Sequence, residues 1–483
     1  MIDVLIVGSG LVGASYARLI AERRPETSIL VVDLGPQLTD RPGEHITRLA
    51  PGPQRTRAGL MSQGPDEDVL QFKEDHLADG TGSTVPGLHL VRAGGLPAAA
   101  MASCVGGMGV YWGGVTPRPL DSERVPFIAD DDWSEAIAAA ERVLGTDHVP
   151  FAESVVGEGI RSRLVEVFDG RLPAGRGVRA LAIAGRGDQG GTLEIADVAD
   201  ILAPMRLATG DGGFELRPLT LCRSLSLTGR AATSAVLEDR ASGRVEEVEV
   251  GAVVVCADAF RTPQLLWASG IRPQALGRYL MDHPRTNASI ALDRDLFSSP
   301  RGELESDWRD CAWLVPFADP AHPFQGNVVR EPRLEGAASA SLSWSGRTWP
   351  RPGNRVVFSH DRTDWCGMPA MTIEFAMTAA EEAEARRGTE LVKEAAMALG
   401  SYLPGCEARR SAPGWAFHYQ GTVRMGTRDD GTSVCDADSK VWGLENVFVG
   451  GTGVIPTPTT CNPTLMSVAL AARSAAKLVG SLA

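Results

Sequence analysis

The first 33 residues of this 483-residue chain carry the pattern that most narrows its possible folds. The apolar run 4–7 leads into the glycine motif Gly8-x-Gly10-x-x-Gly13. Apolar residues at helical spacing follow, and a second apolar run ends at Asp33. This order is typical of a dinucleotide-binding βαβ unit, in which the acid can bind a ribose hydroxyl. Gly8 permits the tight turn, Gly10 lets a pyrophosphate approach the backbone, and Gly13 lets the helix pack closely. The pattern does not choose between NAD and FAD.

The C-terminal end of the chain favours FAD. Residues 447–453 read VFVGGTG, a short strand that runs into a glycine turn. Asn462-Pro463-Thr464 then opens a helical pattern over residues 465–478. Asn is a strong N-cap residue, and Pro is favoured at the first helical position. A helix N-terminus that points into a site stabilises negative charge there, and a reduced flavin carries such charge on its pyrimidine edge.

A third cofactor-like feature is the segment 105–114, VGGMGVYWGG, in which half of the residues are glycine. A segment of this kind can lie flat against a large planar ligand, and we expect Tyr111 and Trp112 to form walls beside it. The alternative is an ordinary surface loop, which would leave two bulky aromatic side chains exposed. We therefore interpret the segment as part of a cofactor site.

The rest of the chain mixes strand-like and helical segments. Two strand-like runs, 235–237 and 244–250, flank the turn signal Ala-Ser-Gly and predict a hairpin. Residues 286–375 hold further strand candidates, and residues 379–399 indicate one helix with a glycine break. The fold class is therefore α/β, with two domains. We assign a cofactor domain to residues 1–118, 205–285 and 415–483, and a substrate domain to residues 119–204 and 286–414.

Charge and cysteine content exclude several classes of function. The formal charge is −13, so the chain has no global attraction to nucleic acid or to anionic membranes. No apolar run reaches the roughly 18 residues of a membrane span. The closest two of the eight cysteines are 26 residues apart, which excludes a CxxC motif and predicts no metal site. Scattered cysteines and an N-terminus without a basic region predict a reduced, cytoplasmic protein.

Four segments together resemble the glucose-methanol-choline (GMC) oxidoreductases. They are GSGLVG with Asp33, VGGMGVYWGGVTPR, VVVCADAFRTPQLLWASG, and VFVGGTGVIPT followed by NPTLMSVALAA. Within that family, FHYQGTVRMGT and the TPR after the glycine segment are most similar to pyranose oxidases. The resemblance implies a Rossmann-like FAD-binding domain and a substrate domain with a roughly six-stranded antiparallel sheet. It also implies oxidation of a sugar hydroxyl.

The same resemblance assigns the chemistry to two residues. The catalytic His of the family falls on His418, and its Asn partner falls on Asn462. Alcohol oxidation needs a base for the hydroxyl proton as hydride leaves carbon, and a neutral His suits that role near pH 7. Without the resemblance, His418 fits a core histidine as well, and Asn462 fits a helix cap. The residues that the resemblance places at FAD are Gly8, Gly10, Leu11, Val12, Gly13, Asp33, Gly106, Gly107, Met108, Tyr111, Trp112, Gly113, Cys222, Gly451 and Thr464.

Two departures from the pyranose oxidase pattern point to a bacterial branch of the family. Pyranose oxidases commonly attach FAD covalently through a His where this chain has Tyr111, so we expect non-covalent FAD. A Thr that often faces flavin N5 is replaced by Gly113. Both departures resemble bacterial glycoside 3-oxidases, including enzymes that act on C-glycosides of flavonoids and anthraquinones. The resemblance implies oxidation of C3 of a glucosyl unit to a 3-keto glycoside. Electrons would pass to O2 or a quinone-like acceptor, and a separate lyase would cleave the product.

The substrate contacts follow from an alignment through residues 322–331. It places Asn327 and Glu331 beside the sugar, together with Gly113. A solvated loop is the alternative for this stretch.

Other functions stay open at this level. A pyranose 2-oxidase would act on free monosaccharides, and a GMC dehydrogenase would act on a simple alcohol or an aminoglycoside. A flavin-containing lyase would keep FAD as a structural group and would not be bleached by an alcohol. A nicotinamide enzyme would use the N-terminal unit alone, which leaves the C-terminal glycine turn unexplained.

Overall fold

The computed structural model describes residues 1–50, 52–55, 89–90, 95–151, 154–187, 193–207, 213–297, 311–330 and 339–482. In these ranges the α-helices are α1 (Leu11–Arg23), α2 (Asp130–Leu144), α3 (Val155–Phe168), α4 (Val198–Leu207), α5 (Asp258–Ala268), α6 (Ala379–Leu399) and α7 (Thr464–Val479). The strands are β1 (Ile2–Val7), β2 (Ile29–Val32), β3 (His89–Leu90), β4 (Ala100–Met101), β5 (Thr146–Asp147), β6 (Arg179–Ala180), β7 (Ile183–Gly187), β8 (Leu193–Ile195), β9 (Phe214–Arg217), β10 (Thr220–Thr228), β11 (Ala231–Asp239), β12 (Val245–Val255), β13 (Arg285–Leu292), β14 (Cys311–Val315), β15 (Gln325–Arg330), β16 (Ser339–Ser345), β17 (Arg355–Thr363), β18 (Pro369–Glu374), β19 (Gly400–Tyr402), β20 (Arg409–Arg410) and β21 (Val447–Val449).

A mainly parallel sheet forms around the N-terminal strand. β1 lies between β12 and β2, and β21 and β9 extend the sheet on either side, so the parallel order is β21-β12-β1-β2-β9. β11 pairs antiparallel with the first half of β12, and β10 pairs antiparallel with β11. β1 and β2 are apolar because helices cover the sheet and bury them. The predicted βαβ unit and the predicted hairpin of β11 and β12 are both confirmed.

The turn between β1 and α1 depends on two glycines. Gly8 adopts a φ of 103°, which residues with a side chain avoid, and a Cβ there would lie 2.4 Å from the carbonyl oxygen of Cys256. A Cβ on Gly13 would lie 1.9 Å from the carbonyl oxygen of Gly8. Close packing of α1 on the turn is therefore possible only with glycine at both positions, as the motif predicts.

A second sheet is antiparallel throughout. Its order is β19-β13-β16-β15-β14-β6, and β20 also pairs with β13. Helices α3 and α6 pack against it around a separate apolar core that includes Phe324 and Trp344. The predicted antiparallel sheet of roughly six strands is confirmed.

Residues 379–399 form one continuous helix, so the predicted glycine break is wrong. α6 begins with a capping box in which Thr378 and Glu381 hydrogen-bond each other's backbone N–H. Gly388 is buried inside the helix, and a Cβ there would lie 3.0 Å from a ring carbon of Phe324. This glycine makes room for an aromatic ring between the helix and the second sheet.

The apolar core of the first sheet extends beyond the strands. Trp133 and Ile137 of α2 belong to the same buried cluster as β1 and α7, and Asp132 pairs with Arg473 at 2.9 Å. The domain boundaries predicted from the sequence stay a prediction.

All eight cysteines are buried free thiols. Within the described part of the chain, no helix is both long and apolar enough to cross a membrane.

Candidate active site

A cleft lies at the carboxyl ends of β1, β2 and β12, where open α/β sheets bind their ligands. It encloses about 1390 Å³, counting the space at its mouth. The predicted site residues that line it are Gly8, Gly10, Leu11, Val12, Asp33, Gly107, Met108, Cys222, His418, Gly451 and Thr464. Gly13, Gly106, Tyr111, Trp112, Gly113 and Asn462 lie outside this lining. Motifs from both ends of the chain therefore meet in one cleft.

Asp33 and Ser9 hold the turn between β1 and α1 in shape. Oδ2 of Asp33 accepts hydrogen bonds from the backbone N–H of Ser9 at 3.0 Å and from its hydroxyl at 2.5 Å. Oδ1 of Asp33 accepts from the N–H of Gly35 at 3.0 Å, and the Ser9 hydroxyl accepts from the N–H of Gly106 at 2.9 Å. Burial raises the pKa of the Asp33 carboxyl, and these hydrogen bonds oppose that effect. The turn and the glycine segment are thus tied together at the edge of the cleft.

The glycine segment contributes backbone, not aromatic rings, to the cleft. One turn of 3-10 helix, Gly107–Val110, supplies the lining residues. The indole N–H of Trp112 donates to the carbonyl of Ala196 at 2.9 Å, and Tyr111 packs against a buried cluster that includes Ile46. Both rings thus contact neighbouring segments, and the prediction that Tyr111 and Trp112 form walls of the site stays a prediction.

His418 and Asn462 lie side by side at the cleft. Nδ2 of Asn462 donates to Nε2 of His418 at 3.2 Å. Nε2 of Gln325 donates to Oδ1 of Asn462 at 2.8 Å, which fixes the orientation of the amide. Pro463 takes the N-cap position before α7, and no side chain caps this helix. Asn462 is therefore not a helix cap, and its side chain is directed at the predicted base.

Three buried side chains stand behind His418. Its Nδ1 lies 2.9 Å from Nδ1 of His283, and the two rings are nearly perpendicular, at 78°. Nε2 of His283 lies 3.2 Å from Oγ1 of Thr459 and 3.0 Å from Nε2 of Gln420. The Thr459 hydroxyl donates to Oε1 of Gln420 at 3.0 Å. One nitrogen of His418 thus faces Asn462, and the other faces a buried polar network.

The surroundings keep both histidines neutral. Burial lowers the pKa of His418 well below its usual value, and the nearby His283 and Arg285 lower it further. Burial, with a smaller effect of Arg285, lowers the pKa of His283 to about 3. Burial also raises the pKa of the neighbouring Asp282 to about 6. The His418 imidazole is therefore unprotonated at neutral and at mildly acidic pH, as a base would need to be.

A buried carboxylate anchors the loop that carries Asn462. Oε1 of Glu123 accepts from the N–H of Thr460 at 2.7 Å, from its hydroxyl at 2.8 Å, and from the N–H of Cys461 at 3.1 Å. Its Oε2 accepts from the N–H of Leu120 at 2.9 Å. Burial raises the pKa of Glu123, and these hydrogen bonds oppose that effect. The backbone directly before Asn462 is held in one place.

Comparison with known proteins identifies the family. A model of the GMC oxidoreductases matches residues 350–471. The chain is also 36% identical to a C-glycoside 3-oxidase from Microbacterium trichothecenolyticum, with 98% of this chain and 96% of that protein covered. The chain belongs to the GMC oxidoreductase family. As a GMC oxidoreductase it acts on CH–OH groups, and members of its family are flavoproteins that use FAD.

Two further proteins are similar to this chain over almost its whole length. A pyranose 2-oxidase from Emericella nidulans is 28% identical, with 99% of this chain and 92% of that protein covered. The crystal structure of pyridoxine 4-oxidase from Mesorbium loti has the same fold, with a TM-score of 0.64 at 17% identity, and 99% of each chain is covered. The mixed α/β architecture is therefore that of the family.

The cleft suits the FAD of GMC oxidoreductases. A Cβ added to Gly10 would meet only the carbonyl oxygen of Gly106, at 3.7 Å, so the backbone of the turn is open to a ligand. The N-terminus of α1 has no side-chain cap and no acidic residue in its first turn, which leaves its N–H groups for a phosphate. α7 also lacks a side-chain cap, and Thr464 at its start lines the cleft. Two uncapped helix N-termini in one cleft fit an anionic dinucleotide.

The residues predicted to face the sugar have different surroundings. Asn327 is buried in β15, and its Oδ1 accepts from Nε2 of Gln325 at 3.1 Å, so it does not lie in a solvated loop. Gly113 is exposed. Glu331 lies outside the described residues. Contact of these residues with a sugar stays a prediction.

Sequence reasoning did not single out Gln325, His283 or Glu123. Gln325 lies two residues before Asn327, so strand alternation would have placed both side chains on one face of β15. His283 stands in YLMDHP, where a charged and a polar residue interrupt an apolar run. Nothing in the sequence marks Glu123 as an anchor of the loop before Asn462, because Thr460 and Cys461 lie more than three hundred residues away.

Proposed function

We propose that this GMC oxidoreductase oxidises C3 of a glucosyl unit and releases a 3-keto glycoside. The observation that carries the proposal is the His418–Asn462 pair at a cleft that fits FAD. Full-length likeness to a C-glycoside 3-oxidase supports the position of oxidation and a C-glycoside as the substrate. The proposed substrates within that class are C-glycosides of flavonoids or anthraquinones. O2 or a quinone-like acceptor takes the electrons, and a separate lyase would use the product.

In this proposal, His418 and Asn462 act on one substrate oxygen. Bound FAD supplies the hydride acceptor, at flavin N5. Nε2 of His418 takes the hydroxyl proton as the C–H bond breaks and its electron pair leaves with the hydrogen. Nδ2 of Asn462 donates to the same oxygen and holds it as the hydroxyl becomes a carbonyl. His418 would thus remove the hydroxyl proton, and the hydride would leave carbon for the acceptor that bound FAD would supply.

The proposed FAD contacts divide between the two ends of the cleft. Asp33 would bind the ribose, and the backbone at Gly10 with the start of α1 would hold the pyrophosphate. The backbone of Gly107 and Met108 would support the flavin ring, and the start of α7 would stabilise negative charge on it.

We propose that FAD is bound without a covalent link. Tyr111 replaces the histidine that pyranose oxidases use for attachment, and its ring packs outside the cleft lining. Acid precipitation of the purified protein should therefore release all of the flavin into the supernatant. Yellow colour that stays on the protein pellet would contradict this.

Two measurements test the proposed reaction together. The product formed from a flavonoid C-glucoside should show its new carbonyl at C3 by NMR. The His418→Ala variant should keep bound flavin but reduce it about a hundredfold more slowly or worse, because it has lost its base. His148→Ala is the matched control, since His148 lies at the surface with 52% of its side chain exposed. An unchanged rate of flavin reduction in His418→Ala would remove this residue from the base role.

Oxidation of free monosaccharides at C2 is the second candidate. It is supported by the likeness to a pyranose 2-oxidase. The same base and cofactor would serve, so only the substrate profile and the position of the new carbonyl separate the two reactions.

A further inference from the structure

The cleft contains an arginine that the proposed reaction does not use. Arg261 lies in the first turn of α5, shortly after β12, and lines the cleft together with Asp33 and Cys222. Its side chain is only 11% exposed. A buried guanidinium is unfavourable unless its N–H groups find acceptors, so the partners of Arg261 indicate what the side chain does.

One nitrogen makes all the hydrogen bonds that the Arg261 side chain forms with described residues. Nη1 donates to Oε1 of Gln264 at 3.2 Å, to Oδ2 of Asp364 at 3.4 Å and to Sγ of Cys366 at 3.4 Å. Cζ of Arg261 also lies over the Trp365 ring, 5.5 Å from its centre. The arginine is therefore held against the turn between β17 and β18.

The other edge of the guanidinium has no partner among the described residues. Nε of Arg261 is buried, and neither it nor Nη2 donates a hydrogen bond to any residue that the structure describes. These two N–H groups share one edge of a rigid planar group, which suits a ligand with acceptor atoms. A buried donor without an acceptor is destabilising, so a ligand that supplies acceptors there would be bound favourably.

Electrostatic effects place Arg261 near the predicted ribose-binding acid. Burial raises the pKa of Asp33, and the positive charge of Arg261 is among the effects that lower it, so the two groups lie within electrostatic range. Burial also raises the pKa of Asp258, another residue of the cleft lining, to about 6, and Arg261 opposes that effect. The arginine is therefore close to the part of the cleft where a nucleotide ribose is expected.

We propose that Arg261 binds the adenosine end of FAD, to which the Nε–Nη2 edge of its guanidinium donates hydrogen bonds. Adenosine offers suitable acceptors, namely the ring nitrogens of adenine and the hydroxyl oxygens of ribose. The inference rests on the proposed FAD site and adds a residue to it from outside the glycine motifs. Nη1 stays with Gln264 and Asp364, which hold the guanidinium in place.

The turn between β17 and β18 has anchors other than Arg261. Gln264 donates from Nε2 to Oδ2 of Asp364 at 3.0 Å and to the carbonyl of Pro369 at 2.8 Å. Oδ1 of Asp364 accepts from the backbone N–H of Met368 at 3.0 Å, and Met368 lines the cleft. Replacement of Arg261 therefore removes the donor edge and leaves these hydrogen bonds in place.

Binding of ADP to the full-length apoprotein tests the contact, because ADP contains adenosine and no flavin. Arg261→Leu removes the donors and keeps an apolar side chain beside Trp365. Arg240→Leu is the matched control. Arg240 lies 5.9 Å from the centre of the same ring and donates to the carbonyl of Cys366 at 3.4 Å, but it does not line the cleft. Calorimetry gives the Kd of ADP, and flavin fluorescence gives the Kd of FAD.

We expect Arg261→Leu to raise the Kd of both ADP and FAD at least about tenfold, because adenosine loses hydrogen bonds to a charged group. Arg240→Leu should bind both ligands as the wild-type protein does. An unchanged Kd of ADP in Arg261→Leu would overturn the inference. An equal rise in the two variants would also overturn it, because packing around Trp365 would then explain the loss.

Arginine NMR gives a readout that does not depend on the folding of a variant. In wild-type apoprotein with ¹⁵N-labelled arginine, the Nε–H signal of Arg261 should shift when ADP is added, since this hydrogen gains an acceptor. A signal that saturating ADP leaves unchanged would overturn the inference.

The outcomes also separate this inference from the proposed function. Wild-type apoprotein that binds neither FAD nor ADP would contradict the proposed FAD site itself. If the wild-type protein binds both ligands and Arg261→Leu binds them equally well, only the role of Arg261 is overturned.

Discussion

At the scale of single residues, the protonation state of His418, the proposed base, is set by the groups that surround it. A histidine in water has a pKa near 6.5, so half of it would be protonated and inactive as a base at that pH. Burial, His283 and Arg285 all lower the pKa of His418. His418 therefore stays unprotonated as the pH falls through 6.5, and as the proposed base it would lose its function only at lower pH.

This shift predicts a flat pH profile for the reductive step. The rate of flavin reduction at saturating glycoside should stay constant between about pH 8 and about pH 6. Anaerobic stopped-flow measurement across that range, with the flavin spectrum as a check on folding, gives the profile. A decrease centred near pH 6.5 would mean that His418 titrates like an exposed histidine, which contradicts a base kept neutral by burial.

At the scale of elements, the site depends on how closely two helices approach it. α1 packs onto the turn after β1 because Gly13 has no side chain, and Glu123 holds the loop that leads into α7. Neither contact involves the substrate. Both set the positions of groups that are proposed to bind the cofactor or the substrate.

Gly13→Ala should abolish tight binding of FAD. Its Cβ would lie 1.9 Å from the carbonyl oxygen of Gly8, so α1 must move away from the turn. We expect the Kd of FAD to rise at least about tenfold in a fluorescence titration of the apoprotein, since the helix N-terminus no longer meets the phosphate. Gly353→Ala, whose Cβ would meet nothing within 4 Å, should bind FAD normally. Equal affinity in the two variants would show that the α1 contact does not matter.

Glu123→Gln should weaken both the fold and the reaction. An amide can replace only one of the two oxygens and would turn an N–H₂ group towards backbone donors. Leaving such donors unpaired lowers the free energy of unfolding by about 1–3 kcal/mol. Thermal unfolding should report this loss, and flavin reduction should slow because Asn462 is no longer held. Glu135→Gln on the exposed face of α2 is the control, and an equally stable Glu123→Gln would contradict the anchoring role.

At the scale of the whole molecule, the site joins the two sheets. Gln325 belongs to β15 of the antiparallel sheet, while Asn462 precedes α7 beside the parallel sheet. Their hydrogen bond at 2.8 Å connects the proposed substrate-binding half to the cofactor half. A glycoside held against His418 would therefore have residues of both sheets next to it.

Local sequence patterns predict the strands and helices whose apolar residues recur at a regular spacing, and the turns that require glycine. The βαβ unit and the β11–β12 hairpin follow from apolar periodicity and turn residues, whereas the antiparallel sheet is expected only from the resemblance to the GMC oxidoreductases. The directions of Tyr111 and Trp112 do not follow from such patterns, because they depend on partners distant in the sequence. The same holds for His283 and Glu123, whose roles arise from contacts between separate segments and leave no motif behind.

The most direct test of the proposed oxidation is anaerobic reduction of the bound flavin by a flavonoid C-glucoside compared with free glucose. We expect the C-glucoside to bleach the flavin much faster than glucose does, and its oxidised product to carry a C3 carbonyl. Bleaching by glucose alone would favour a monosaccharide oxidase. A yellow protein that neither sugar bleaches would contradict the proposed oxidation of glucosyl units.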